Sequence, residues 1–468
     1  MGYLADMCRR VGILVAGALL RLTVAAHADE DSSSDIDWLV HVTRTMPVQE
    51  HRHIRREQSL AFINVNTRSD QQPLFGNATP RMDFSFWTPR PTAVGVEGLD
   101  PVLADPLQPL VNPVRNAEEA ADLYAGTRFD LYDSLVFQGV TDSLPGTRST
   151  EATNRFNLRM DTKLLNWDDG SHTRFTLQWR ASNVMPSDSQ PLAQSVGSPT
   201  GLNAQRTLFD TRLIRLMLAQ GFCEDRFVVS LGKINPNDYM GLNLFASDET
   251  SQFLNTAMDG NDVLPVGFQG YTEGAAFQAL PVDWLYVNGV LSSASGTNGY
   301  GFEDAFQKGY FGGIEAGFIL RPFDRPMRLS ASWGASNANQ ATLNGGPSVF
   351  GNAWTGLAQW LATDDLGVWV QVATADASVA YMATSEGMAG ITLENALDRK
   401  GDGFGVGGGW STPLSDTQQT QGVVESYYRL QVTGSLQVTF DAQLLVPPGS
   451  TQLSGAVLAG AIRAKFEF

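Results

Sequence analysis

Cysteine is nearly absent: two occur in 468 residues. Cys8 lies in a segment expected to be removed, so Cys223 remains alone and no disulfide can form within the mature chain. Basic charge is also scarce. Thirty-two Lys and Arg face 49 Asp and Glu, a formal charge of −17. A nucleic-acid binder needs a basic footprint to meet phosphates, so that class is excluded. The five histidines are His27, His41, His51, His53 and His172. All lie in the leader, before the first expected barrel strand, or at a turn. No His-Glu-x-x-His, Gly-x-Ser-x-Gly, phosphate-loop or paired-cysteine motif is present. No catalytic residue, metal ligand or cofactor is therefore assigned, and Glu50 to His53 reads as a charged surface run. Beyond the leader no run of about 18 apolar residues occurs, which excludes a transmembrane helix. No internal repeat occurs either, against a propeller or solenoid.

What is present begins with a leader. Arg9 and Arg10 precede the apolar run Val11 to Leu20, and Ala26-His27-Ala28 offers a small-residue cleavage site. Residues 1–28 are read as a signal peptide, 29–126 as an N-terminal periplasmic arm or plug, and 127–468 as the folded body. Removing the leader takes away Asp6 and three arginines, so the mature chain is more acidic still.

The body shows a period of two. Leu458, Gly460, Ile462, Ala464, Phe466 and Phe468 share one face of the final segment, against Arg463, Lys465 and Glu467 on the other. Ser426, Tyr428, Leu430 and Val432 alternate with Glu425, Tyr427, Arg429 and Gln431. Leu436, Val438, Phe440, Ala442 and Leu444 alternate with Gln437, Thr439, Asp441 and Gln443. Earlier, Phe156, Leu158 and Met160 alternate with Asn157, Arg159 and Asp161. Phe175, Leu177 and Trp179 then alternate with Arg174, Thr176, Gln178 and Arg180. A soluble sandwich can show the same pattern. The terminal aromatic, Phe468, tips the balance, because it resembles the end signal of outer-membrane barrels, and short polar turns alternate with long Gly/Ser/Asn-rich loops, as in such barrels.

About sixteen candidate strands follow, beginning near 128, 155, 173, 206, 226, 269, 284, 307, 327, 352, 366, 387, 403, 423, 436 and 456. The predicted fold class is all-β: a transmembrane antiparallel β-barrel behind a signal peptide and an irregular arm. Lipid cannot satisfy an open sheet edge, so the sheet must close. Trp167 and Trp284 fall beside short turns, and Trp179, Trp333, Trp354 and Trp410 near long loops, as two interfacial girdles require. Two places resist. Arg212 and Arg215 fall on opposite faces unless a bulge intervenes, and 403–411 is too rich in glycine to show an outer face. In the arm, Ser59–Asn66 and Arg81–Trp87 read as strands. Asn116 to Ala125 reads as a short helix capped by Asn116.

The order and spacing of several segments resemble the carbohydrate-selective porins of the OprB type, over roughly residues 115 to 468. Leu231-Gly-Lys-Ile-Asn-Pro-Asn-Asp-Tyr239 is followed by Phe253-Leu-Asn255. Pro281-Val-Asp-Trp284-Leu-Tyr-Val matches a hairpin of that family. So do Asp398-Arg399, Asp402, Gly405 and Gly407, then Glu425, Tyr428 and Leu430, then Phe440-Asp-Ala-Gln443, and the ending at 460–468. The family's Gly/Trp-rich entry is missing before residue 120, and the long arm is a departure. The resemblance implies passive diffusion of sugars across an outer membrane.

A sixteen-stranded barrel independently leaves an aqueous lumen. The longest loop, 235–268, is expected to constrict it through Asp238, Tyr239, Asp248, Glu249 and Phe253, with Phe245, Asp259 and Asp262 nearby. Acidic groups suit sugar hydroxyls, and aromatic faces suit sugar C–H surfaces. Arg159, Lys163, Arg174, Arg180, Arg429, Arg463 and Lys465 are expected to face the lumen and set a transverse field against the acidic loop. Ion-paired wall residues are the plain alternative. The expected partners are small solutes, sugars foremost, together with outer-membrane lipid and, through the last strand, the barrel-assembly machinery. Monomer and homo-oligomer are both left open. A general or anion-selective channel, and an adhesive barrel without transport, stand as the other readings.

Overall fold

A computed structural model of the chain describes residues 99–468 apart from 168–170, 187–189, 207–210, 224, 261, 265–269, 295–305 and 454. The leader and the two strands expected in the arm lie outside the described residues. Among the described residues, sixteen strands follow an N-terminal helix. They are β1 (Thr127–Val140), β2 (Thr150–Asn166), β3 (His172–Met185), β4 (Thr211–Phe222), β5 (Phe227–Ile234) and β6 (Thr272–Val282). Next come β7 (Leu285–Ser293), β8 (Tyr310–Leu320), β9 (Met327–Ser336), β10 (Gly351–Leu361) and β11 (Leu366–Ala375). The last are β12 (Ala383–Glu394), β13 (Gly403–Pro413), β14 (Gln421–Gln431), β15 (Leu436–Leu445) and β16 (Val457–Glu467). Each pairs antiparallel with its sequence neighbour, and β1 pairs with β16, Ser134 opposite Lys465, to close the barrel.

The alternation in sequence becomes a two-sided wall. Leu135, Phe137, Leu218, Leu231, Ile314, Phe440 and Ile462 point outward and stay exposed. Their neighbours Ser134, Val136, Asp441 and Arg463 are buried inside. An exposed apolar band around a closed barrel is matched by lipid. Among the described residues no helix is long and apolar enough to cross a membrane. Trp333 and Trp354 meet on the long-loop side, 6.3 Å between centroids, and Trp284 stacks on Phe318 at the short-turn side.

Three local expectations are corrected or resolved. The described part of strand β4 begins at Thr211, and it carries the bulge: Gln178 pairs with Arg215 and Trp179 with Leu213, leaving Ile214 over. The extra residue restores both Arg212, opposite Arg180, and Arg215 to the inward series. Strand β13 does have an outer face, formed by Phe404, Val406 and Trp410, while Gly403, Gly405 and Gly407 are buried inside. The helix, α1, spans Gln108–Ala125, so Asn116 lies mid-helix and is not its cap. Proline suits a first helical turn, which Pro109 occupies, but the helix also continues through Pro113. It ends at Gly126, whose φ of 58° is a left-handed conformation that glycine adopts without strain.

The tail of the arm is bound to the short-turn rim. Asp100 N donates to Lys400 O, and Val102 N and Leu103 N donate to Gln431 O and Val432 O. Arg115 of α1 donates to Gly434 O and Glu467 O at 3.0 and 3.2 Å, tying the helix to the end of β16.

Candidate functional site

The described residues of the loop between β5 and β6 (235–260, 262–264, 270 and 271) are all buried or half-buried. Its main chain is polar throughout, so entry into the barrel requires wall groups that satisfy its peptides. Those groups are present on successive strands. Gly241 N donates to Glu315 of β8 at 2.7 Å. Arg328 of β9 and Gln359 of β10 both donate to Leu242 O. Leu244 N donates to Gln359, and Thr392 of β12 donates to Phe245 O at 2.7 Å. Arg463 of β16 donates to Glu249 O and Gln252 O at 2.6 and 2.7 Å. The Glu425 carboxylate of β14 accepts from Leu254 N and Asn255 N, at 2.5 and 3.0 Å. Gln371 of β11 donates to Gly260 O at 2.9 Å. The loop thus forms a belt on the inside of the wall.

Apolar packing completes the seat. Phe253, with no exposed surface, lies edge-on to Trp369 and Tyr427 at 5.8 and 5.0 Å between centroids. Ala246, Ala257, Met258 and Met388 join this cluster. The inward glycines of β13 make the room. A β-carbon on Gly407 would lie 3.2 Å from both the Met258 sulfur and the Trp369 ring.

The structure places the expected constriction residues unequally. Asp238 lies 2.8 Å from the Arg215 guanidinium of β4. Tyr239 is buried against Met217. Asp248 caps its own turn, accepting from Thr250 N, Thr250 Oγ1 and Ser251 Oγ. Glu249 pairs with Arg155 of β2. Phe253 belongs to the apolar seat. Asp238 and Glu249 therefore meet arginines of the β2–β4 wall, Asp248 holds its own turn together, and Phe253 seats the loop on β11 and β14. Within the loop, burial pushes the Asp262 carboxyl from its ordinary 3.8 up to about 7. Burial first, then the charges of Glu249 and Asp248, raises Asp259 well above the usual carboxylate range.

The basic residues expected to line the interior occupy buried alternating positions, with one exception. Arg159 bonds Asp161 at 2.7 Å, Arg174 bonds Asp225, and Arg429 bonds Glu394. Arg463 holds loop carbonyls, as above. Lys465 lies 3.5 Å from Glu467 and 5.1 Å from the Tyr132 ring centroid. Arg180 lies over Tyr271. Lys163 is exposed near the short-turn end of β2, beside Gly126.

Several contributors were not foreseen. Arg155 sits where the sequence placed the strand's first residue, and the bulge hid Arg215. Residues 192–206 of the β3–β4 connection also fold inward. Leu202 is buried, and its carbonyl accepts from Gln138 and Gln443, both at 2.9 Å. Leu192, Val196 and Leu202, apolar positions in an otherwise polar loop, were the available signal. Among the described residues no group of three or more His, Cys, Asp or Glu could hold a metal ion.

Comparison with known proteins agrees with this geometry. The family model described as carbohydrate-selective porin, OprB family, matches residues 149–468. No curated protein matches the chain at a significant level. Among solved structures, the high-pH structure of Pseudomonas putida OprB is similar at 17% identity and a TM-score of 0.61, covering 75% of this chain and 96% of that one. Its low-pH structure is similar at 14% identity and a TM-score of 0.48, covering 75% and 95%. A mutant Rh. blastica porin gives 11% identity and a TM-score of 0.47, covering 73% and 100%. With a family match over most of its barrel and a loop folded into a closed sixteen-stranded wall, the chain belongs to the carbohydrate-selective porin, OprB family.

Proposed function

We propose that the protein lets sugars diffuse passively across the outer membrane of a Gram-negative-type cell, and that loop 235–271 sets which solutes pass. The single observation that carries this is the belt of wall groups, from Glu315 on β8 to Arg463 on β16, that holds the loop inside. A loop so fixed narrows the path without closing it by motion, and porins act as channels rather than enzymes. Asp238 and Glu249 pair in direct contact with Arg215 and Arg155, which supports ion-paired wall residues that fix the loop's position rather than a field across the lumen. The outward band supports lipid as the surrounding partner, and the final strand supports recognition by the assembly machinery. Residues 1–28 would be the export signal and 29–126 the periplasmic arm.

The test is liposome swelling with glucose and with maltose. Full-length protein is compared with a variant in which residues 240–264 are replaced by a short Gly/Ser linker. We expect faster swelling and loss of discrimination by sugar size. Unchanged rates and selectivity would overturn the role given to the loop.

A further inference from the structure

The constricting loop brings one of its acids to a part of the wall that has no cation. Neither strands β10 to β13 nor residues 235–271 contain Lys, Arg or His. Asp262 is 2% exposed there, and Glu386 of β12 is 1% exposed. Asp262 O accepts from Met382 N and Ala383 N, at 2.9 and 3.1 Å, which fixes the loop to the start of β12. The Asp262 carboxyl group accepts from Thr256 Oγ1 at 2.5 Å. Both its N–H and its carboxyl group act on Glu386, whose two oxygens make no direct hydrogen bond.

The elements packed around this pair add no charge. Ser411 of β13 and Ala373 of β11 stand directly opposite Glu386. Tyr381, half-buried just before β12, is the other titratable group that faces Asp262. The inward connection 192–206 meets Asp262 with main chain only, at Gly201. Val263 packs with Ala373 and Ala383, so the surroundings are apolar. A buried carboxyl group without a cation keeps its proton to higher pH than it would in water. Asp262 accordingly titrates near 7 here, against an ordinary 3.8. Protonated, it sits in the wall without charge. Ionised, it is an anion beside a second acid in apolar surroundings, and the lumen offers it water instead.

We propose that Asp262 and Glu386 form a proton-set latch: protonation holds residues 256–264 on β11 to β13, and loss of the proton releases them toward the lumen. This device rests on the reading that loop 235–271 sets which solutes pass. One proton moves between Asp262 and bulk water, and no other covalent bond changes.

The experiment records single channels of full-length protein in planar bilayers from pH 5 to pH 8. The latch weakens between the titration of Asp262 in water and in the site. The ratio of widened to latched dwell times should therefore rise roughly tenfold per pH unit between pH 5 and 7, then level off. Asp262→Asn removes most of the rise, leaving the part due to Asp259. Glu386→Lys supplies the missing cation, so the loop stays latched at pH 7.5. Asp364→Asn, at an exposed short turn, removes the partner of Arg325 and keeps the parent slope. Heat-modifiable mobility in gels establishes that each variant is folded. A parent ratio independent of pH overturns the latch, as does a Glu386→Lys profile like the parent's. A profile that calcium or EDTA shifts also overturns it, because the acids would then hold a metal ion and not a proton. If replacing residues 240–264 by a linker leaves conductance unchanged, the reading of the loop falls and the latch with it. A flat parent profile beside a more conductive linker variant sinks the latch alone. Should Asp262→Asn fail to fold, the parent slope and Glu386→Lys still decide.

Discussion

Gly405 of β13 lies flat against the ring of Tyr427 on β14: a β-carbon built on it would stand 2.3 Å from Tyr427 Cε1. No relaxed neighbour can accept that approach, so the ring would have to move. Tyr427 is 1% exposed and packs edge-on to Phe253, so its displacement reaches the constricting loop directly. Gly405→Ala is expected to destabilise the barrel by about 1–3 kcal/mol, the usual cost of overpacking. It should also widen the spread of single-channel conductance. A lowered denaturation midpoint by gel mobility, with altered conductance, checks both; an unchanged midpoint refutes the close fit.

The Glu425 carboxylate accepts from two main-chain N–H groups of the loop, those of Leu254 and Asn255. Glu425→Ala leaves two buried N–H groups without partners, a loss of about 1–3 kcal/mol for each. Glu425→Gln keeps one acceptor oxygen and should lie between. We expect conductance to rise in the order parent, Gln variant, Ala variant, as the loop is released from β14. Bilayer recordings at fixed salt measure it, and an inverted order would count against the anchor.

Trp369 and Phe253 form one packed pair, so their truncations should not add. Each alone, Phe253→Ala or Trp369→Ala, is expected to cost about 3–5 kcal/mol. The double variant should cost clearly less than the sum, because the second truncation removes contacts already lost. Denaturant midpoints of the three variants give the coupling directly. Simple additivity would mean that the two rings act independently.

Asp262 gives the loop a pH dependence with a definite sign. Its carboxyl titrates near 7 in the fold and near 3.8 when unfolded. The folded loop therefore holds the proton more tightly, and stability falls as pH rises through that window and is flat above it. The full contribution is present below about pH 4. Asp262 O also accepts from Met382 N and Ala383 N, so the loss is felt at β12. Protease cleavage of the loop should become faster from pH 5 to pH 7.5 in the parent. In Asp262→Asn the rise should be smaller, with the part due to Asp259 remaining. Faster cleavage at the acid end would contradict the assignment.

Much of this architecture is determined by the sequence alone, because a barrel wall obeys a local rule. Alternation at Phe156 to Asp161, at Leu436 to Leu444 and at Leu458 to Phe468 sets inside against outside, since side chains point to opposite faces at every residue. The alternation of short and long connections then fixes strand number and direction. What the sequence could not decide is what fills the interior. Loop 235–271 reads as polar and aromatic in either location. Whether Phe253 meets a permeant or a wall ring depends on Trp369 and Tyr427, more than a hundred residues away. The glycines of β13 look featureless in isolation and become meaningful only beside Tyr427 and Met258. Arg180 differs from Arg155, Arg159, Arg174 and Arg215 in no local feature. Only the closed wall decides which of them stands in direct contact with a carboxylate. Period-two patterning is a property of adjacent residues and is visible in the chain; charge compensation is a property of space and waits for the fold.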